Sequence, residues 1–192
     1  MNNEAPDVKN EAPDVKKELW REALSWAKTI LFALIFAWFF TNFVIVNAHV
    51  PTGSMENTIP APSRIIAFRL SYMFSEPQRG DIIVFRGEEQ LLVKRVIGLP
   101  GETVSIDNWR VYIDEEPLKE AYKVSALDTR TIIAPHSEFA PVIVPDGHFF
   151  VLGDNRDSSQ DSRSWADPFV SEDTILGRAL FLYWPRVQIF SR

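Results

Sequence analysis

Hydrophobic and polar positions divide the chain into three stretches of different character. Residues 1–28 are mostly polar and include a seven-residue sequence repeated in tandem, residues 30–46 are apolar but for two polar residues, and residues 50–192 mix short apolar runs with turn residues. Polar segments with little apolar surface lack the driving force to fold, whereas a long apolar run favours a helix. The pattern predicts an unstructured repeat, a helix that starts near Lys17 and continues through the apolar run, and a folded domain.

The folded domain is predicted to consist mainly of β-strands. Its apolar runs are short, rich in β-branched residues and separated by Gly, Pro, Asp and Asn, as strands in a sheet are. No amphipathic helix of 10–15 residues separates them, which argues against a parallel sheet and favours an antiparallel, barrel-like β domain. The predicted strands are residues 65–68, 81–85, 91–97, 103–106, 110–113, 142–144, 149–152 and 177–184.

The apolar run is long enough to cross a membrane. Its seventeen residues reach the short end of a hydrocarbon crossing, and a soluble buried helix is rarely so apolar on every face. We therefore expect three parts: a tail at 1–28, a transmembrane anchor at 29–48 and a folded β domain at 49–192.

The charges on either side of the anchor predict its orientation. Four basic residues precede it closely, whereas the first Lys or Arg after it is Arg64. Positive charge stays on the cytoplasmic side, so the tail is expected in the cytoplasm and the β domain outside, at the cell membrane. Residues 46–48 also resemble a signal-peptide cleavage site, but the apolar run is longer than such peptides have, and a retained anchor is favoured.

Composition excludes several classes of site. The net charge of −6 offers no basic surface for nucleic acid. The absence of cysteine excludes disulfides and thiolate catalysis, and the three histidines are too widely spaced to suggest a metal site. The sequence predicts neither a metal nor a cofactor.

A serine just after the anchor is the candidate nucleophile. Ser54 follows Gly53, and Thr52 lies two residues before it, so its hydroxyl and the Ser54 N–H could stabilise an oxyanion. A Gly-Ser pair alone is more often only a loop. A serine also needs a base to act as a nucleophile.

Lys94 is the candidate base because it lies in an apolar strand. Strand alternation places it on the face of Leu92 and Val96, where burial would favour the neutral amine. The adjacent Arg95 cannot act as a base because it stays protonated. A lysine that extends its ammonium group to solvent is the alternative.

Residues 153–165 form a polar loop directly after an apolar strand. A serine hydroxyl from this loop could orient the lysine amine, and Asp161 and Arg163 could pair to brace the loop. A solvated, turn-rich loop is the plainer interpretation. A Ser-His-Asp triad with His148 is a rival, although nothing around His148 marks it as catalytic.

Four blocks, in this order, resemble bacterial type I signal peptidases, which are Ser–Lys proteases that remove signal peptides from exported proteins. They are residues 52–55, 79–85, 94–102 and 153–163. The resemblance implies Ser54 as nucleophile, Lys94 as general base and a catalytic domain of the kind shared with self-cleaving repressors. It assigns supporting roles to Thr52 at the oxyanion, Ser159 as the serine that orients the lysine, and Asp161 with Arg163 as a brace.

The resemblance also implies the partners. They are preproteins with small residues at positions −1 and −3, together with the lipid bilayer. Two positions depart from the family pattern: Asn57 stands where proline is usual and Ala166 where glycine is common. An anchored β domain that binds exported chains without cleaving them remains an alternative function.

Overall fold

The chain was examined as a computed structural model that describes residues 15–56, 58–120, 122 and 138–190. It divides into two compact units, Met1–Thr41 and Asn42–Arg192. Asn57, His136 and most of the tandem repeat lie outside the described residues.

The first unit contains one long apolar helix. Helix α1 spans Val15–Phe39 and continues into a π-helical turn at Phe40–Val44. The segment Glu18–Val44 has a mean hydropathy of 1.8 in its most apolar part, and it is long and apolar enough to cross a membrane. Its apolar side chains are exposed, with Phe32 at 71%. Since residues 45–48 belong to the first strand, the helical part ends four residues before the expected anchor boundary.

The second unit is built from twelve strands in the described residues. They are β1 Ile45–Val50, β2 Ser63–Phe68, β3 Ile82–Arg86, β4 Leu91–Gly98, β5 Thr103–Asp107, β6 Arg110–Ile113, β7 Glu116–Pro117, β8 Phe139–Ile143, β9 His148–Leu152, β10 Phe169–Ser171, β11 Ile175–Trp184 and β12 Gln188–Ile189.

The strands form two antiparallel sheets. The large sheet has the order β1-β2-β11-β3-β4-β9-β10, with β12 paired to β11, and the small sheet has the order β7-β6-β5-β8. Although three strands separate β1 from β4 in the large sheet, residues of the two strands approach each other. The large sheet therefore curls into a half-barrel, and the mainly β, antiparallel fold is confirmed.

Buried side chains fill three clusters around the large sheet. One contains the inward residues of β1, with Met55, Ile59 and Val93, and a second joins β4 and β9 to the small sheet. The third contains Ile83, Phe85 and Val96, with Leu92 partly buried against it. Val93 and Val96 thus pack into different clusters, as the alternation of a strand requires.

All eight predicted strands overlap strands of the structure, but β1, β7, β10 and β12 were not predicted. Strand β1 was missed because it continues directly from the apolar run. The strand nevertheless alternates between buried and exposed residues. Val46, Ala48 and Val50 are buried, whereas Asn47 and His49 are exposed. Three of the missed strands have only two or three residues, too few for a periodic pattern.

Candidate active site

Ser54 lies on a tight turn that follows β1. Thr52 has extended backbone angles, and Gly53–Met55 form a single 3-10 turn. The Met55 side chain is fully buried, and its carbonyl accepts a hydrogen bond from the Ile59 N–H at 2.7 Å. Because the neighbouring methionine is fixed in the core, Ser54 is held half-buried at the surface of the domain.

The polar loop, residues 153–165, contacts this turn directly. The Asn155 N–H donates to the Ser54 carbonyl at 3.0 Å, and the Asn155 side-chain amide donates to the Gly53 carbonyl at 2.9 Å. A Cβ atom at Gly153 would overlap the Ser54 carbonyl oxygen and the Ser159 side chain. Glycine at 153 therefore allows the Ser54 turn and the Ser159 side chain to approach the backbone of the polar loop closely.

Lys94 lies on β4 opposite Ile83 and is 3% exposed. It lines a small cavity of about 30 Å³ together with Thr52 and Ser54. This burial argues against the alternative in which the lysine extends its ammonium group to solvent. The structure therefore places the predicted nucleophile and the predicted base at the same cavity.

Burial lowers the pKa of the Lys94 amine from 10.5 to about 8. The negative charge of Asp161 acts in the opposite direction, the positive charge of Arg163 lowers the pKa further, and Asp154 raises it. Within the part of the chain that the structure describes, no hydrogen bond or ion pair joins Lys94 to a carboxylate. The amine is thus neutral in a fraction of molecules near neutral pH.

Asp161 and Arg163 form the ion pair that the sequence suggested. The Arg163 Nε and Nη2 atoms donate to the two carboxylate oxygens at 2.8 and 2.9 Å, and both side chains are buried. The Gly153 N–H also donates to Asp161, at 3.0 Å. Burial alone would raise the pKa of the Asp161 carboxyl, but the hydrogen bonds and charge of Arg163 outweigh it and hold that pKa below its usual value.

Ser159 is buried beside this pair. Its Oγ atom has no hydrogen-bond partner among the described residues, although it lies close enough to Asp161 to favour the carboxylate slightly. An unpaired buried hydroxyl is uncommon and calls for a partner. The Ser159 side chain lies next to Gly153, which also adjoins the Ser54 carbonyl. Ser159 is therefore on the side of the loop that faces the Ser54 turn.

Sequence reasoning gave Arg95 and Asp154 no role, although they form the strongest link between β4 and the polar loop. The Arg95 Nε and Nη2 atoms donate to the Asp154 carboxylate at 2.8 and 2.6 Å, and Nη1 donates to the Gly80 carbonyl at 2.8 Å. The Thr58 hydroxyl donates to Asp154, and the Tyr122 ring lies 3.9 Å from the guanidinium. Both residues are buried. The sequence signal that could have revealed this pair is a second basic residue beside Lys94 in an apolar strand.

The remaining predicted residues are less tightly held. Thr52 is exposed at the cavity, and its side chain does not cap the 3-10 turn. His148 lies elsewhere, with its Nδ1 atom 2.8 Å from the Asp146 carbonyl and its ring against Phe169. It does not line the Ser54 cavity, so the structure gives the His148 triad no support. His49 does line that cavity, and the sequence analysis gave it no role.

Comparison with known proteins points to one family. The family model described as "Signal peptidase, peptidase S26" matches residues 23–184. A signal peptidase I of Leptolyngbya laminosa is 39% identical, over 82% of this chain and 78% of its own length. A signal peptidase I of Bacillus amyloliquefaciens is 37% identical, over 84% of this chain and 88% of its own.

A crystal structure of a signal peptidase I from Enterococcus faecalis is also similar to this chain. It is 35% identical, with a TM-score of 0.46, and the match covers 54% of this chain and 97% of that one.

Proposed function

Because the chain belongs to the signal peptidase family, peptidase S26, we propose that it cleaves signal peptides with Ser54 as the nucleophile and Lys94 as the general base. The family and the relatives show the activity, which is that of a membrane-associated serine endopeptidase. The observation that supports the two roles is the shared cavity, which the buried Lys94 and the half-buried Ser54 both line.

The proposed reaction has two steps. In the first, neutral Lys94 accepts the proton of the Ser54 hydroxyl while the oxygen attacks the scissile carbonyl, and the resulting ammonium then protonates the leaving amine. In the second, Lys94 takes a proton from water, which attacks the Ser54 ester. The Lys94 ammonium then returns this proton to the Ser54 oxygen as the ester bond breaks and the carboxyl end of the signal peptide is released. We assign stabilisation of the oxyanion to the Ser54 N–H and the Thr52 hydroxyl.

Ser159, Asp161 and Arg163 are proposed to position the base. The unpaired Ser159 hydroxyl is the buried polar group available to hold the Lys94 amine. The ion pair between Asp161 and Arg163 fixes the loop that carries Ser159, and Arg163 also donates to the Arg156 carbonyl at 2.9 Å. A rigid loop keeps the amine aimed at Ser54, which its flexible side chain would not do alone.

The substrate is proposed to bind as an extended strand between β1 and β4. Strand β3 pairs with β4 along one edge, while β9 joins its other edge only from Arg95 onward. Among the described residues, that second edge therefore has no strand partner at residues 91–94. The Ser54 cavity lies there, lined by His49 and Val50 of β1 and by this part of β4. Backbone groups of a substrate strand can pair with such an edge.

The size of the cavity supports the expected preference for small residues at −1 and −3. Its volume of about 30 Å³ fits a methyl-sized side chain, and the buried Val50 and Val93 form part of its wall. In an extended strand the −1 and −3 side chains point to the same face. We therefore propose that the −1 side chain enters the cavity and that the −3 side chain lies on the same face of the substrate strand.

Membrane attachment through the apolar helix agrees with the family. We propose that residues 1–28 lie in the cytoplasm, 29–48 include the anchor and 49–192 act outside, since basic residues precede the anchor. Met73 and Phe74, which are 60% and 92% exposed, are proposed as further contacts with lipid.

Cleavage of a preprotein by the full-length protein in detergent micelles tests the proposal. Wild type is expected to release the signal peptide, whereas Ser54→Ala and Lys94→Ala should give no detectable product. His148→Ala tests the rival triad: His148 does not line the cavity, so this variant should keep nearly full activity. Activity retained in Lys94→Ala would refute the assignment of the base.

A further inference from the structure

A second, larger groove lies next to the Ser54 cavity. Its volume is about 770 Å³, and Gln90 and Leu92 line both the groove and the cavity. Gln160, the neighbour of Ser159 in the polar loop, is another lining residue. A substrate bound at Ser54 would therefore pass the mouth of this groove.

The groove combines an aromatic lining with an acidic rim. The rings of Phe85 and Trp165 meet edge to face with centroids 6.2 Å apart. The charged residues that line the groove are Arg86, Glu88, Glu89 and Asp167, so it carries an excess of two negative charges, and His148 is its other titratable residue. Within the described residues, neither Glu88 nor Glu89 makes an ion pair.

Strand alternation decides which substrate residue faces the groove. If the −1 and −3 side chains point to the face of the cavity and Val93, the −2 side chain points to the opposite face. On β4 that opposite face carries Leu92, which lines the groove and packs against the buried cluster that contains Phe85. The −2 side chain therefore points toward Leu92 and the groove beyond it.

We infer that this groove binds the side chain of substrate residue −2 and favours a long cationic one, lysine or arginine. The inference rests on the proposed function. The aliphatic stem of such a side chain would pack on Leu92 and the aromatic rings, while its charge would lie between Glu88, Glu89 and Asp167. The face of Trp165 adds an attraction for a cation.

A set of peptides that differ only at −2 tests this preference. Each peptide carries alanine at −1 and −3 and lysine, leucine or glutamate at −2, and kcat/KM is measured with the full-length protein in micelles. Exposed charge pairs are individually weak, so we expect lysine to exceed glutamate by about five- to tenfold, with leucine between them. Salt at about 0.5 M should reduce the difference, because it screens exposed charges.

Paired substitutions locate the effect. Glu88→Gln with Glu89→Gln should remove most of the discrimination, so that kcat/KM for the lysine peptide falls toward that for the leucine peptide. Glu115→Gln with Glu116→Gln is the matched control, since these are also adjacent exposed acids but do not line the groove. Reversing the charges with Glu88→Lys and Glu89→Lys should favour glutamate at −2.

The outcomes separate the inference from the proposed function. Equal cleavage of all three peptides, or a lysine preference that survives the Glu88 and Glu89 changes, overturns the inference and leaves the peptidase intact. Failure to cleave any peptide with small −1 and −3 residues counts against the proposed function itself.

Discussion

Two adjacent cations on strand β4 are both buried, yet they differ in what surrounds them. Arg95 has a carboxylate, a carbonyl and an aromatic ring around its guanidinium. Lys94 lines a cavity with Thr52 and Ser54 and has no direct carboxylate partner among the described residues, and burial lowers its pKa to about 8. A paired buried charge is stabilised by its partner, whereas an unpaired buried amine gives up its proton more readily than it would in water. Arg95 therefore holds the scaffold, while its neighbour Lys94 is the proposed base.

Exchanging the two cation types should produce the largest effect. Lys94→Arg places a permanently charged group at the base position, so kcat/KM should fall by about four orders of magnitude or more. Arg95→Lys is the matched change in the neighbour. It removes the two-pronged contact with Asp154 but leaves the base, so cleavage should persist in protein that remains folded.

The comparison of these two variants is decisive for the roles of the two residues. Initial rates of preprotein cleavage should be measured alongside circular dichroism, so that loss of activity is not confused with loss of fold. If Lys94→Arg cleaves at a rate similar to that of wild type, Lys94 is not the general base.

Breaking the buried pair of Arg95 should give the next largest effect. Arg95→Met leaves the Asp154 carboxylate buried without its partner, and the free energy of unfolding should fall by about 3–5 kcal/mol. Denaturant titration of purified protein measures the change. The double variant Arg95→Met with Asp154→Leu removes both charges and should recover part of the loss. A single variant as stable as wild type would show that the pair does not hold the loop.

Some residues of the site can be predicted from the sequence more easily than others. Ser54 and Lys94 were predictable because their signals are local: a hydroxyl after glycine, and a lysine in an apolar strand. The bond from Arg95 to Asp154 joins residues 59 positions apart and depends on how β4 and β9 pair. Nothing in a strand pattern specifies that pairing. The hydrogen bond from Asn155 to Ser54 was unpredictable for the same reason, because the two residues are far apart in the sequence.

Replacing the base with an apolar residue should stabilise the protein while it abolishes activity. Below about pH 8, Lys94 is protonated in the folded and the unfolded protein, and the folded state carries the cost of burying the charge. A pKa lowered from 10.5 to about 8 corresponds to roughly 3 kcal/mol. Lys94→Met should therefore raise the unfolding free energy at pH 7 by an amount on the order of 2–3 kcal/mol.

The pH dependence of that gain tests its cause. As the pH rises from about 8 to 10.5, wild-type Lys94 loses its proton in the folded state first, so the cost disappears and the two proteins should converge. Denaturation midpoints of both proteins at pH 7, 9 and 10.5 measure this. A gain that stays constant over this range would assign it to packing and not to the charge. No such gain is expected from Arg95→Met, which removes a paired cation.

The smallest expected effect is the pH dependence of cleavage itself. Only the neutral amine of Lys94 can accept the Ser54 proton, so kcat/KM should rise about tenfold per pH unit below pH 8 and level off above it. Arg95→Lys changes the neighbouring side chain and leaves the proposed base in place, so it should shift the profile only if the new amine disturbs Lys94. Stopped assays from pH 6 to 9 on one peptide give the profile. A flat profile through pH 8 would mean that the group limiting cleavage is not this amine, and the contrast between the two cations of β4 would then lose its catalytic meaning.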